Sequence, residues 1–486
     1  MEHKNVERVE IAPLFNLYSR RHKGHTVSTA IKDVIDNHVD SGCAKENIKT
    51  NTIQVFIAED KFRKGKKVLI TTDFGFGMFS NKIQEMYRDG YSTKGHGEDN
   101  YFNKLGYLGK YGNGQKNATA FLSNGVLTLS CVQDDKIHAV DYNLKELDIR
   151  GSKPEVCKYV LISGEDKKTD TYLEYWMDYM KDEYGEIALH GTMNIFYDLH
   201  DDVVANLEAH CEFSNQFDQN SLGCILGETY CKKLNDNLKI YIGKTYKSLK
   251  QVKPMNPFFG GKIKEEKTFQ IPTKVNGETH LFPVEVKFHV FDKENIAHRK
   301  TSAKSSGFYF FRESRLHLDA HDNPMKPKLS PKALHKLEKD SSLKRVKGRE
   351  RSSTNEIWPE TAGVRGRVRV EINFLSMLDD EFQVDANKTN IHFSNSESIA
   401  DLAIYLYKTS HKIINELTLE QKDENNTLQL NPFRFKNEII RKSRINPQFF
   451  LNAANDTLKN YKGIEVNIVK QALKTYNSTI GVEIHL

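Results

Sequence analysis

The sequence predicts an α+β fold with two mixed α/β domains and a helical C-terminal region. Its 486 residues are enough for two or three domains that each bury a core. Helical and strand patterns are mixed through residues 1–210, a second strand-rich region follows at 211–396, and helical patterns return at 397–486. Together these observations predict three consecutive regions with those boundaries.

The first region begins with a helix and a β-hairpin. Apolar residues recur at helical spacing over Ser28–Asp40, which is closed by a Ser-Gly pair. Apolar clusters at 52–58 and 67–73, joined by a charged segment that contains glycine, predict two paired strands. Further strands are predicted at 126–131 and 192–197.

The second region is predicted to be rich in strands and the third in helices. The strand candidates of the second region are 238–243, 284–291, 307–311 and 367–375. Before the last of these, the segment 326–351 is basic and lacks apolar periodicity, so we expect a long loop or surface insertion there. The helix candidates of the third region are 397–422, 447–460 and 464–476.

The composition excludes several classes of protein. Hydrophobic residues make up 38% and aromatic residues 10%, which is incompatible with a globally disordered chain. The charged start MEHKNVERVE has no apolar segment, and no stretch reaches the roughly 18 to 20 apolar residues of a membrane span. Six cysteines without a C-x-x-C pair are typical of free thiols rather than of a zinc site. We expect an intracellular, soluble protein with no membrane partner, cytoplasmic if bacterial and nuclear if eukaryotic.

One face of the first predicted helix carries several oxygen-bearing side chains. They are three or four residues apart and therefore share a face: Asp33, Asp36, Asn37 and Asp40. Oxygen ligands suit Mg²⁺, which binds one or two protein groups together with water and phosphate oxygens. Taken alone, the segment is also typical of an ordinary solvated helix face.

Two glycine-containing segments follow. The segment Asp73–Met78 (DFGFGM) closes a buried strand, where its glycines allow close approach of a ligand and its carboxylate can accept a hydrogen bond from an exocyclic amine. A plain turn is the alternative. The segment 106–118 carries four glycines and two lysines and runs into a helix, which favours phosphate binding. It matches neither the P-loop nor the Rossmann pattern, so a Walker-type NTPase is disfavoured.

In this order and spacing, the three segments resemble the ATP-binding domain shared by gyrase, the heat-shock chaperones, the histidine kinases and MutL, the GHKL superfamily. The helix corresponds to the E-x-x-D-N-x-x-D motif, 73–78 to the D-x-G-x-G motif, 106–118 to the glycine-rich ATP lid, and 190–192 to a Gly-Thr that leads into a strand. The sequence is most similar to the MORC ATPases, whose lid resembles YGNGQK (111–116). The resemblance implies a Bergerat-type ATP-binding α/β sandwich that binds ATP and Mg²⁺.

The resemblance also implies a role for each matching residue. Asn37 would coordinate Mg²⁺, Asp73 would bind the adenine amine, and Thr192 would support Asp73. Asp36 and Asp40 would orient the helix and the waters of the Mg²⁺. The remaining residues implied in nucleotide binding, around the adenine pocket and the lid, are Gly75, Gly77, Met78, Lys94, Gly109, Lys110, Tyr111, Gly112, Asn113, Gly114, Gln115 and Lys116.

The position of the general base departs from the motif. The residue that polarises the attacking water in this superfamily is a Glu, and the matching residue here is Asp33. Its side chain is one methylene shorter, while a general base must come within about 3 Å of the proton or use one bridging water. We therefore expect ATP to bind well and to be hydrolysed slowly.

The second region resembles the ribosomal S5-like transducer domain of the gyrase, MutL and MORC branch. The resemblance lies in the aromatic segment 307–317 and in 382–393, which is similar to an Asn-Lys-Gln loop with Thr389 in place of Gln. It implies that Lys388 is a second catalytic residue that reaches the γ-phosphate, the alternative being an exposed structural lysine. It also implies an ATP-dependent homodimer, for which the apolar stretch within 9–25 is suited.

The basic excess of the chain is local. The net charge is +6, but residues 326–351 hold ten Lys or Arg against three acids, so the other 460 residues sum to −1. Three arginines alternate along the strand predicted at 367–375 and just before it. The residues expected to contact the DNA backbone without reading its sequence are Lys326, Lys328, Lys344, Arg345, Lys347, Arg349, Arg351, Arg365, Arg367 and Arg369. A solvated loop or a nuclear import signal in 344–351 is the alternative.

Two functional hypotheses result. The first is an ATP-gated DNA clamp or compaction ATPase of MORC type; the second is an ATP-dependent regulatory switch that controls a separately encoded effector protein such as a nuclease. A histidine kinase is disfavoured, because no helix with a phospho-acceptor His precedes the ATP domain. Since the chain carries no recognisable zinc CW module, long coiled coil or nuclease motif, we expect a minimal, bacterial relative that works with such an effector in defence against foreign DNA.

Overall fold

The chain is described by a computed structural model, and two β-sheets dominate it. The described residues are 6–10, 26–42, 51–83, 85–87, 108, 114–132, 136–147, 155–181, 185–210, 221–275, 277–292, 306–318, 329–339, 365–384 and 391–428. The chain divides into two compact units. One comprises residues 1–358 and 365–407 and includes both sheets, and the other comprises 359–364 and 408–486.

The first sheet has nine strands among the described residues. They are β1 (Val6–Glu10), β2 (Asn51–Glu59), β3 (Lys67–Asp73), β4 (Ser123–Cys131), β5 (His138–Asn143), β6 (Glu155–Val160), β7 (Gly191–Leu199), β8 (Leu238–Gly243) and β9 (Lys250–Gln251). Their spatial order is β1-β6-β5-β4-β7-β3-β2-β8-β9. All neighbours are antiparallel except β2 and β8, which run parallel.

Helices cover both faces of this sheet. They are α1 (Val27–Gly42), α2 (Ser80–Ile83), α3 (Gly114–Leu122), α4 (Leu144–Leu147), α5 (Lys167–Tyr179), α6 (Asp201–His210), α7 (Leu222–Thr229) and α8 (Cys231–Asp236). Because successive strand residues point to opposite faces, Val55 packs towards α1, α3, α6 and α7, whereas Phe56 packs towards Trp176 of α5. Both faces are therefore core, which explains the nearly continuous apolar runs of β2 and β3.

The first region largely follows the prediction, with one difference at its edge. The helix predicted at 28–40 is α1, and the hairpin predicted at 52–58 and 67–73 is β2–β3. The strand predicted at 238–243 forms, but it pairs with β2 in the first sheet instead of belonging to the second region. A parallel partner far along the chain has no local signal, because its register is set by tertiary pairing.

The second sheet has five strands among the described residues. They are β10 (Lys262–Val275), β11 (Glu278–Val290), β12 (Gly307–Arg312), β13 (Arg315–Leu318) and β14 (Val368–Phe374), in the spatial order β10-β11-β14-β12-β13. The strands predicted at 284–291, 307–311 and 367–375 are confirmed. The long edge strand β10 was not predicted, since most of its residues are exposed and no apolar alternation marks it.

Aromatic residues form the core on one face of the second sheet. Phe310 of β12 lies 6.3 Å, centroid to centroid, from Phe382, which itself stacks on Phe374 at 4.2 Å. Tyr405 packs edge-on against Phe288 of β11 with their centroids 6.0 Å apart. These contacts fix the turn after β14 and the start of the last helix against the sheet.

Two further helices complete the described fold. Within the basic segment predicted to be a loop, α9 (Pro331–Lys339) forms and buries Ala333, so the expectation of irregular structure is wrong there. The helix predicted at 397–422 is α10 (Glu397–Leu428). The helices predicted at 447–460 and 464–476 lie outside the described residues. No helix in the described ranges is both long and apolar enough to cross a membrane.

Candidate functional site

The two α1 residues that are expected to act on phosphate and on the metal lie on the half-buried side of the helix. Its apolar residues, among them Ile31 and Ile35, are fully buried in the core, while Asp33 and Asn37 are half-buried. The first residue of α3 lies against Asp33: a Cβ on Gly114 would stand 3.6 Å from the Asp33 Cβ. The positive end of α3 and the carboxylate of Asp33 are therefore neighbours.

The other two acids of α1 are buried and engaged within the protein. Asp36 accepts hydrogen bonds from the Tyr230 hydroxyl and from Arg315 Nε, both at 2.6 Å. Asp40 accepts the backbone N–H of Leu108 at 2.7 Å. Both carboxylates thus hold α1 in place, Asp36 against the second sheet and Asp40 against Leu108 of the lid segment 106–118.

Asp73 ends β3 with its carboxylate almost fully buried. One oxygen accepts the backbone N–H of Gly75 at 2.8 Å, and the other is hydrogen-bonded to Nδ1 of His38. His38 lies in the motif helix, directly after Asn37, and sequence reasoning missed it. The residue could have been identified from the sequence, because a histidine on the buried side of α1 needs polar partners.

A chain of buried hydrogen bonds fixes the orientation of His38. The Thr128 hydroxyl donates to the Asn194 side-chain oxygen at 2.7 Å, which turns the Asn194 amide nitrogen towards His38 Nε2 at 3.2 Å. Because an amide nitrogen can only donate, Nε2 is the acceptor, with the Thr71 hydroxyl 2.8 Å from it, and the ring proton is assigned to Nδ1, facing Asp73. Asp73 is thereby presented as a hydrogen-bond acceptor.

Strands β3, β7 and β4 bring together the other residues expected near adenine. Thr192 lies opposite Asp73 in the β3–β7 register and opposite Ser130 in the β4–β7 register. The Ser130 hydroxyl, a residue that sequence reasoning missed, accepts the N–H of Met78 at 2.8 Å and lies 3.1 Å from the Thr192 hydroxyl. The predicted proximity of Thr192 and Asp73 is therefore present at the level of the strands.

Two glycines in these motifs are required by the backbone. Gly77 has φ +78°, and a Cβ there would stand 1.9 Å from the carbonyl oxygen of Cys131. Gly191 has φ +125°, and a Cβ there would stand 2.2 Å from the carbonyl oxygen of Asp73. No other residue fits these sites without moving the strand ends that carry Asp73 and Thr192.

The start of α3 contains the described part of the lid. Gln115 and Lys116 are buried, and the Lys116 ammonium donates to the Met86 carbonyl at 3.3 Å. Lys116 is expected to belong to the lid over the phosphates, and a phosphate contact would require its ammonium to leave the Met86 carbonyl. The other expected residues of the nucleotide site, Lys94, Gly109, Lys110, Tyr111, Gly112, Asn113 and Lys388, lie outside the described residues.

The expected DNA-contacting arginines near β14 are placed differently from the prediction. Arg365 and Arg367 lie in a short 3₁₀ helix before the strand, and Arg367 Nε donates to the Phe291 carbonyl at 2.9 Å. Arg369 is buried, donates to the Pro257 carbonyl and has its guanidinium 4.9 Å from the Phe291 ring centroid. Arg369 therefore cannot contact DNA in this fold. The other candidates, Lys326, Lys328, Lys344, Arg345, Lys347, Arg349 and Arg351, lie outside the described residues.

The oxygen donors of α1 fit Mg²⁺. The Asn37 amide and the Asp33 carboxylate are half-buried, oxygen-bearing and one helical turn apart. In the described part of the chain, no group of three or more His, Cys, Asp or Glu side chains is arranged to hold a metal. When bound, Mg²⁺ would supply positive charge to the phosphate oxygens.

The described cysteines do not form a second chemical site. The described cysteines, Cys131, Cys157, Cys224 and Cys231, are free thiols. Burial raises the pKa of the Cys231 thiol to about 12, which makes it a poor nucleophile. The chemistry of the described residues is therefore concentrated where α1, the end of β3 and the start of α3 meet.

Comparison with known proteins agrees with this geometry. Residues 25–160 match the family described as histidine kinase-, DNA gyrase B-, and HSP90-like ATPase, and this range contains α1, the end of β3 and the lid. No curated protein matches the chain significantly. The chain carries a GHKL ATPase domain, which binds and hydrolyses ATP.

Proposed function

We propose that this protein is an ATP-driven switch of MORC type, in which a slow ATPase site in the first sheet controls how the second sheet engages DNA. The supporting observation is a direct link between the two sheets. Arg315 of β13 donates to Asp36, the residue before Asn37 in α1, with both side chains buried. A change at the nucleotide site therefore has a short physical route to the second sheet.

The site residues have distinct roles in the proposal. Asp73 accepts the adenine amine, Asn37 helps to hold Mg²⁺, and Asp33 takes the proton of the attacking water. Hydrolysis is slow because the Asp33 carboxylate reaches less far than the Glu of the motif. Lys388 of the second region completes the site at the γ-phosphate, and the second region serves as the transducer.

The role of Asp33 is tested by substitution in both directions. We expect Asp33→Asn to lower kcat by about 10²-fold or more, since general base catalysis is typically worth that much, with little change in ADP affinity. Asp33→Glu should raise kcat. Asp201→Asn, which removes an exposed acid in the first turn of α6, is the matched control for charge. Wild-type turnover in Asp33→Asn would rule Asp33 out as the base.

The DNA-binding part of the proposal rests on the charge of residues 326–351. Ten Lys or Arg against three acids in this segment suit contact with phosphate groups. Part of this charge is already compensated within the fold. Lys332 Nζ lies 2.8 Å from Glu397, and Lys336 is paired with both Glu397 and Asp401 of α10. The proposed DNA contacts are therefore assigned to the two ends of the segment, 326–328 and 344–351.

The compensated lysines and the buried Arg369 favour a second candidate function. In it, ATP controls a separately encoded effector protein, and the basic segment plays no part. The two candidates differ in their behaviour with DNA. An ATP-dependent homodimer that closes around DNA should stay on closed circular DNA at high salt with a non-hydrolysable ATP analogue and leave the same DNA once it is cut. An effector switch would show weak DNA binding that does not depend on nucleotide.

A further inference from the structure

The hairpin β12–β13 has an unusual turn. Arg312 and Arg315 pair directly opposite each other, so the loop consists of two residues, Glu313 and Ser314. Their φ angles are +50° and +63°, the conformation that two-residue hairpin loops require and that Asn and Gly usually supply. Residues with a Cβ are strained there, by roughly 1 kcal/mol each. Such a turn persists only where surrounding contacts hold it.

The first of those contacts joins the hairpin to α1. Arg315 Nε donates to Asp36 Oδ1 at 2.6 Å, and the Tyr230 hydroxyl donates to the same oxygen at 2.6 Å and lies 3.2 Å from the Lys32 carbonyl. All three side chains are almost completely buried. Burial opposes the charge of Arg315, but Asp36, Tyr230 and Asp33 raise its pKa above the ordinary value, so the guanidinium is charged.

The second contact joins the hairpin to Leu108 of the lid segment 106–118. Arg312 binds both carboxylate oxygens of Asp379 at 2.6 and 2.8 Å and donates from Nη1 to the Leu108 carbonyl at 2.9 Å. The N–H of Leu108 is bonded in turn to Asp40 of α1. One hairpin therefore touches the motif helix, the residue before Gly109 and the turn that follows β14.

From this arrangement we propose that Arg315 is a positioning residue for ATP hydrolysis. By holding Asp36 it fixes the rotation of α1 about its axis, and with it the directions in which Asp33 and Asn37 point. An α-helix has 3.6 residues per turn and rotates as one unit. Any rotation of α1 that exposes an unpaired Asp36 to water therefore also moves Asp33 and Asn37. The inference depends on the roles proposed above for Asp33 and Asn37.

The expected signature is a loss of turnover without a loss of binding. Displacement of catalytic groups by about 1 Å can cost about 10²-fold in rate. Arg315 is bonded to Asp36 and makes no hydrogen bond to Asp73, the residue proposed to hold the adenine of ADP. We therefore expect kcat to fall by about 10- to 100-fold in Arg315→Met, while the Kd for ADP changes less than about threefold.

The experiment compares kcat for ATP and the Kd for ADP in the full chain, at a temperature where thermal melts show each variant folded. Arg315→Lys should recover part of kcat, because it restores the charge without the planar fork. Tyr230→Phe keeps the ring and removes one hydrogen bond to Asp36, so it should fold and lower kcat several-fold. Unchanged kcat in Tyr230→Phe or Arg315→Met would overturn the inference.

A matched control separates positioning from general loosening. Glu371→Gln weakens another ion pair that joins a helix of the first sheet to the second sheet, that of Lys232 of α8 with Glu371 of β14 at 2.5 Å, and neither side chain is hydrogen-bonded to α1. It should lower stability and leave kcat per folded molecule unchanged. An equal fall of kcat in Glu371→Gln and Arg315→Met would overturn the inference. If Asp33→Asn keeps its activity, Asp33 is not the base. If Asp33→Asn is inactive but Arg315→Met keeps its activity, only the positioning role of Arg315 is refuted.

Discussion

At the scale of single residues, a histidine orients the carboxylate of Asp73, the residue proposed to bind adenine. His38 donates to Asp73 while Thr71 and Asn194 occupy its other ring nitrogen. Asp73 is left to accept hydrogen bonds only. An acceptor favours the amino group of adenine over the carbonyl of guanine, so in the proposed site His38 would support base selection as well as affinity.

Substitution of His38 tests this arrangement. His38→Ala leaves one Asp73 oxygen buried without its donor, and loss of a hydrogen bond to a charged group typically costs about 1.5–3 kcal/mol. We expect ADP binding, measured by calorimetry, to weaken by about tenfold or more and the preference for ADP over GDP to shrink. His280→Ala, on the β10–β11 hairpin, is the control. Unchanged affinity and base preference would contradict the role.

Some of the residues of the candidate site could be predicted from the sequence, and others could not. The motif positions Asp33, Asn37 and Asp73 were identifiable because their types and spacing follow a local pattern on a helix face and at a strand end. Arg315 and Tyr230 were not identifiable, because they reach Asp36 from 194 or more residues away in the chain. Arg369 was misassigned since strand alternation predicts a shared face but not whether that face is covered.

At the scale of elements, the β12–β13 turn has a strained backbone, and it places Arg312 and Arg315 opposite each other on the two strands. Ser314 is exposed with φ +63°, so its side chain can be removed without loss of packing. We expect Ser314→Gly to raise the free energy of unfolding by up to about 1 kcal/mol, because glycine adopts positive φ without strain. Urea denaturation measures this change.

A second serine provides the comparison for that prediction. Ser163 is also exposed in a turn, but its φ is not positive. Ser163→Gly should therefore lower stability slightly, since glycine only adds freedom to the unfolded chain there. Equal effects of the two substitutions would show that the turn carries no strain.

At the scale of the whole molecule, a buried polar cluster joins the parts of the chain that carry the two sheets. Glu371 of β14 accepts hydrogen bonds from His289 at 3.0 Å, from Lys232 of α8 at 2.5 Å and from Asn373 at 3.1 Å. Burial raises the pKa of Glu371, but the His289 hydrogen bond and the charge of Lys232 outweigh it and lower the pKa to about 2. The folded protein therefore stabilises the ionised form of Glu371 more than its protonated form.

This cluster predicts a dependence of stability on pH. A carboxyl whose pKa is lower in the folded protein stabilises it above the unfolded value of 4.5, and that stabilisation is lost as the pH falls towards 2. The full difference is about 3 kcal/mol, at about 1.4 kcal/mol for each pKa unit. In urea unfolding, Glu371→Gln should be clearly less stable than the wild type at pH 6, and the difference should shrink as the pH falls from 4.5 and nearly vanish at about pH 2. A constant difference would exclude Glu371 as the source.

The parallel pairing of β8 with β2 determines where the chain can be shortened. A recombinant fragment that ends with α6 at His210 would uncover one edge of β2, and an unpaired edge strand is a template for aggregation. The same fragment would lack Tyr230 and leave Asp36 without its hydroxyl donor. A fragment that extends past Val252, whose N–H is bonded to the Ile240 carbonyl at 2.8 Å, keeps the edge covered. Soluble expression of the nucleotide-binding part on its own therefore needs some forty residues beyond the end of α6.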